Sequence, residues 1–119
     1  MMKTKLKTIL NAQDAMQKLS EQSLPIVVSY RITKMIKALG DELMTYEKHR
    51  VELCQKYGHA IEGKNEYHID DMEEFEKELL SLWNMDIELS VEKISLPSSL
   101  AISPKDLINL LDFVEIEED

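Results

Sequence analysis

The 119-residue chain has one cysteine, three glycines, three prolines and one tryptophan. A lone thiol excludes an internal disulfide framework, so the expected setting is a reducing cytoplasm. With so few glycines and prolines there is room for few loops, which argues for much helix. Three isolated glycines also supply no phosphate-cradling loop. No apolar run approaches the roughly 18 residues that a membrane span requires, so no membrane partner is expected. The basic start, Lys3, Lys5 and Lys7, is followed by no uninterrupted apolar core and no small-residue cleavage site, unlike a signal peptide.

What is present is an ordinary apolar fraction, 44%, in a length that suits one domain. Net charge is −9, and it is unevenly placed. Residues 1–50 hold nine Lys/Arg against five Asp/Glu, a balance of +4, while residues 51–119 hold five against eighteen, a balance of −13. An acidic half repels nucleic acid and attracts basic protein surfaces, so direct nucleic-acid binding is not expected. The same charge also serves as a solvated face that keeps the chain soluble.

The organising element is the stretch from Pro25 to Tyr57. Its apolar positions Ile32, Ile36, Leu39, Leu43, Tyr46, Leu53 and Tyr57 advance by fours and threes, the seam of a helix packed along its length. Arg50 interrupts the seam. Pro25 suits a first turn and Gly58 the position past the end. A straight helix here is roughly 50 Å long, more than a compact domain needs, so part of the seam is expected to meet a partner. Gly40 inside it is compatible with a kink or a break into two helices.

Around this helix the pattern predicts smaller elements. Met2–Lys7 reads as an edge strand or a frayed terminus. Thr8 caps a first helix with Ile9, Ala12, Met16 and Leu19 on one face. Ala60-Ile61 and Tyr67-His68-Ile69 flank a Gly63-Lys64-Asn65 turn, as a hairpin or a mobile loop. Asp70 with Glu73 has capping-box spacing for a third helix ending near Asn84. Ile87, Leu89 and Val91 alternate with polar residues as a half-buried strand, and Ile94 and Leu96 follow. Ser103-Pro104-Lys105-Asp106 opens a short last helix. The expected architecture is mainly α with a minor β element: a single helical domain over residues 1–114, a helical bundle around one long central helix with a short hairpin and an edge strand, then an acidic disordered tail over 115–119.

Candidate chemistry is sparse. His59, His68, Glu66, Asp70 and Asp71 gather near the hairpin but lack the close ligand pairs that signal zinc, so no metal and no cofactor is expected. Cys54 and His49 are five residues apart, about 140° around a helix, and Cys54 borders the apolar seam as a small hydrophobe. No catalytic residue is assigned. Arg31, Lys34 and Lys37 form a basic face too small for a nucleic-acid footprint, and pairing with the acidic half, within or between chains, accounts for it better. Arg50 either bends out to solvent or fixes a helix–helix register.

Two stretches carry a resemblance. Leu19–Tyr57, in which a short helix meets "LP" and a long charged helix ends in "KYG", and Ile87–Ile116, a strand, a loop and "SPKDL" before a closing helix, look like small acidic helical proteins of unknown function encoded by tailed phages and prophages. Together they cover more than half the chain. The resemblance implies an accessory or virion-assembly role in a bacterial host cytoplasm and transfers no functional residues.

Two functions follow as expectations. In the first, a non-enzymatic interaction module binds and modulates a host, phage or defence protein through an acidic face of Asp71, Glu74, Glu76 and Glu78. In the second, an assembly factor forms a homo-oligomer through a seam of Ile32, Ile36, Leu39, Leu43, Tyr46 and Arg50. An enzyme would need convergent polar groups in a pocket, for which the sequence offers no motif.

Overall fold

The computed structural model describes residues 1–118. The elements, in order, are β1 (Met2–Lys5), α1 (Leu6–Ser20), α2 (Ile26–Tyr57), β2 (Gly58–Ala60), β3 (Tyr67–Ile69), α3 (Met72–Trp83), β4 (Asp86–Leu89), β5 (Ile94–Leu96), α4 (Pro104–Leu110) and β6 (Val114–Ile116). The fold is mainly helical with a minor β component, as the periodicities predict. The strands pair in three separate two-stranded sheets: β1 with β4 and β2 with β3, both antiparallel, and β5 with β6, parallel.

The long helix is continuous through Gly40, where an added Cβ would meet no heavy atom within 4 Å. Pro25 stands one residue outside it as the N-cap. Around its first half lies the core: Ile9, Ala12, Met16 and Leu19 of α1, Ile32, Met35 and Leu39 of α2, Leu89, Ile94 and Leu96 of the strands, and Leu110, Phe113 and Val114 near the C-terminus. Thr4, buried beside this core, donates from its hydroxyl to Asp112 Oδ2 at 3.1 Å and ties the first strand to the last segment.

The second half of α2 is different. Beyond Leu43, which still packs against the core, it carries chiefly α3 and the β2–β3 hairpin; Cys54 is the one buried residue on this half, and α3 has none. The Trp83 indole N–H donates to the Tyr46 hydroxyl at 3.0 Å and pins α3 to α2. The molecule is therefore a packed body with a thin arm, 54 × 30 × 23 Å in extent. Its radius of gyration, 17.2 Å, exceeds the roughly 13.5 Å of a compact chain this long.

Three local expectations need correction. The first helix starts at Leu6 rather than after a Thr8 cap, because the Leu6 N–H donates to the Met85 carbonyl at 3.0 Å across the fold. The third helix is capped by Asp71, whose side chain accepts from the Glu74 N–H at 3.3 Å; the Asp70 N–H is held by the Tyr57 carbonyl at 2.8 Å, which keeps that residue outside the helix. The acidic end is also not disordered from Glu115, since β6 pairs with β5 and the Glu117 N–H donates to Leu96 at 2.8 Å. Asp119 lies outside the described residues. The Ser103 cap on α4 forms as expected, accepting from the Asp106 N–H at 3.2 Å.

Candidate interaction surfaces

Four of the six predicted seam residues lie in or against the chain's own core. Ile32 and Leu39 are buried, and Ile36 and Leu43 pack half-buried against the same cluster. Tyr46 is held by Trp83. Arg50 bends out and makes a two-pronged pair with Glu47, Nε to Oε2 at 2.9 Å and a terminal nitrogen to Oε1 at 2.5 Å. That pair raises the guanidinium above its ordinary value and lowers the Glu47 carboxyl. The seam residues therefore do not form a free surface for a second copy. The physical reason is that α1, β5 and α3 pack against the helix.

The predicted acidic face also divides. Positions 74, 76 and 78 are two residues apart, and each such step turns a helix by about 200°. Glu74 and Glu76 are exposed on opposite flanks of α3, Asp71 serves the N-terminus as its cap, and Glu78 is turned toward α2. Lys56 Nζ lies 3.4 Å from Glu78 Oε1. The Tyr57 hydroxyl, then Lys56, hold the Glu78 carboxyl below its ordinary value, although its Oε2 is shielded from solvent and closes no hydrogen bond of good geometry.

Glu73, at the second position of the predicted capping box, is exposed on the same flank of α3 as Glu76. With Met72 and Leu80 these residues fall within an arc of about 100° on α3. Met72 and Leu80 are both about half exposed, at 50% and 51%. Neither Glu73 nor Glu76 has an ion-pair partner among the described residues. The helical angle of residues 72, 73, 76 and 80 was available in the sequence as the signal for this flank.

On the opposite side of α3 from this flank, between α2 and α3, runs an open groove of about 520 Å³ whose lining includes His49, Leu53, Lys56, Glu78, Leu82 and Met85. Its charged groups engage one another: His49 Nδ1 lies 3.3 Å from Glu52, and Lys56 reaches Glu78. His49 does not face Cys54, whose sulfur is buried against Arg50 at 3.7 Å. At the hairpin, His59 and His68 are directly cross-strand, with ring centroids 5.4 Å apart. Asp70 joins them, 3.0 Å from His59 Nδ1 and 3.8 Å from His68 Nε2. Among the described residues no three His, Cys, Asp or Glu side chains are arranged to hold a metal ion, and no helix is long and apolar enough to cross a membrane.

A second exposed face opens α2. Ile26, Val27, Tyr30, Lys34 and Lys37 share an arc of about 100°, and Ile26, Val27 and Tyr30 are 81%, 57% and 64% exposed. Lys34 Nζ stands 5.7 Å from the Tyr30 ring. Arg31, Lys34 and Lys37 pair with no carboxylate among the described residues, so among them this basic face does not pair with the acidic half. A groove of about 610 Å³ runs beside it, floored by Val27, Val91 and Lys93 among others.

Comparison with protein-family models, with curated proteins and with solved structures finds no match to this chain.

Proposed function

We propose that the chain is a non-enzymatic protein–protein interaction module that binds a basic surface of a host or defence protein through the outer flank of α3. One observation carries this reading: α3 leaves Met72 and Leu80 in solvent beside Glu73 and Glu76, which have no counter-ion among the described residues. Apolar anchors beside unneutralised like charges suit a complementary partner better than bulk water, because burial of the apolar pair supplies affinity while the charges set approach and orientation. The arm supports the same role, since one layer of helices has little to lose by being covered. An accessory role in a bacterial cytoplasm, of the kind implied by the resemblance to small phage and prophage proteins, accords with this reading.

The test is capture from bacterial host lysate by the wild-type chain and by Glu73→Gln/Glu76→Gln, at low and high salt. A specific basic protein held at low salt, released at high salt and lost with the double variant supports the reading. Capture that ignores both salt and the substitutions refutes it, since exposed charge contacts are screened. A second reading, an assembly factor that oligomerises through the long helix, is favoured by a different observation: the exposed apolar and basic start of α2.

A further inference from the structure

The two exposed faces match each other. One, at the start of α2, presents Ile26, Val27 and Tyr30 with Lys34 and Lys37; the other, on α3, presents Met72 and Leu80 with Glu73 and Glu76. Each is a helical stripe about 100° wide, roughly 16 Å long on α2 and roughly 12 Å long on α3. Each mixes apolar side chains with charges of one sign, and the signs are opposite. Within one molecule the two cannot meet. Tyr30 lies 16 residues before Tyr46, where Trp83 anchors α3, a separation of about 24 Å along an unbroken helix.

We propose that the start of α2 in one copy docks on the outer flank of α3 in a second copy. Lys34 and Lys37 then face Glu73 and Glu76, and Ile26 and Tyr30 cover Met72 and Leu80. The contact joins two different surfaces, so each copy that has bound through one face still offers the other. Such a contact propagates head to tail and either closes as a ring or extends as a filament. This goes beyond the partner reading above; it shares the α3 flank but adds the α2 face, and it makes self-association and partner capture mutually exclusive on that flank.

The basic face has other conceivable occupants, an anionic membrane or a nucleic acid. Arg31, Lys34 and Lys37 are few cations on a chain of net charge −9, which disfavours both against a surface of matched charge and matched apolar area. The chain's own α3 flank supplies such a surface.

The test uses the full chain, its mass measured by light scattering or sedimentation across a concentration series, at about 50 mM and about 500 mM salt. The wild type is expected to grow in mass with concentration at low salt and to return to the 13.8 kDa monomer at high salt. Two neutral variants disable one face each: Lys34→Gln/Lys37→Gln and Glu73→Gln/Glu76→Gln. Each alone is expected to self-associate about tenfold more weakly, from two lost rim pairs. Mixed in equal amounts they are expected to form a dimer and stop there, because only one pair of intact faces remains. All four positions are solvent-exposed, and unchanged circular dichroism confirms that the variants fold. A wild type that stays monomeric at the highest concentration and low salt overturns the proposal, as does a dimer that both variants leave intact. Binding of the monomer to anionic vesicles or DNA without self-association overturns it as well. Any of these results leaves the partner reading standing, since that is decided by capture of a basic protein and its loss in Glu73→Gln/Glu76→Gln.

Discussion

Replacing Gly40 with alanine should stabilise the protein. Glycine in a helix interior costs about 1 kcal/mol relative to alanine, through the larger freedom it must give up on folding. At most positions that gain is offset by crowding, but here a new Cβ meets no heavy atom within 4 Å. The same emptiness means that the methyl adds no packing, so the whole effect is backbone entropy and helix propensity, about 0.5–1 kcal/mol. For a domain of this size that raises the midpoint of thermal unfolding by about 2–4 °C. Thermal melts followed by far-ultraviolet circular dichroism measure it, with urea titrations showing a higher midpoint and an unchanged slope. The native helical signal should also be unchanged, because α2 already runs through this position. A lower midpoint, or a native spectrum that gains helix, would refute the reasoning by showing that α2 is interrupted at Gly40. Gly40→Pro is the companion, expected to cost about 3 kcal/mol or more.

Gly58→Ala has the opposite sign. Its backbone is extended, which any residue adopts, but a Cβ there collides with the His68 carbonyl oxygen across the β2–β3 pair; a loss of about 1–3 kcal/mol is expected by urea unfolding, and an unchanged midpoint would show that the hairpin yields freely. Phe113→Ala removes a fully buried ring from the body and should cost about 3–5 kcal/mol, read as a fall in the denaturation midpoint; a loss below about 1 kcal/mol would mean that the core lies elsewhere. For pH, Glu47, Glu78 and Asp86 have carboxyls held below their ordinary values, by Arg50, by Tyr57 and Lys56, and by Lys5 and Lys3 respectively. A depressed folded-state pKa gives stability above the unfolded value that is lost as pH falls through the folded one. Their contribution should therefore be constant near neutrality and fade below about pH 4.5, and Arg50→Gln should remove the Glu47 share of that acid sensitivity, as followed by urea midpoints against pH.

How much of this was legible beforehand differs by element. The four-and-three spacing from Ile32 to Tyr57 identified the long helix because the spacing depends on the helix alone. Ser103 was readable as a cap for the same reason, its partner Asp106 being three residues away. Thr8 and Asp70 misled because the groups that decide those helix starts are distant: the Met85 carbonyl for Leu6 and the Tyr57 carbonyl for Asp70. The seam shows the deeper difficulty. Periodicity says that Ile32 and Leu39 are covered but not by what, and a chain's own core leaves the same pattern as an intersubunit contact. Residues 115 and 116 looked like a solvated acidic tail because a parallel partner, β5, is separated from β6 by a whole helix. The α3 flank is a different case: residues 74, 76 and 78 read as one acidic face by their shared charge, but each two-residue step turns the helix by about 200°, so only Glu76 lies on the flank with Met72, Glu73 and Leu80.

The pairing of β1 with β4 also dictates an order of events during synthesis. Met2 lies opposite Leu89 and Lys5 opposite Asp86, so the first strand leaves the ribosome more than eighty residues before its partner exists. At about 5–20 residues per second, it waits roughly 4–16 s. The arm needs no such delay, since α2, the hairpin and α3 follow one another in the chain and contact chiefly their neighbours in sequence. Nascent chains should thus acquire the arm first, with Leu6, Ile9 and Met16 of the unfinished body still open to chaperones. The body closes only when Phe113 and Val114 arrive to complete its core.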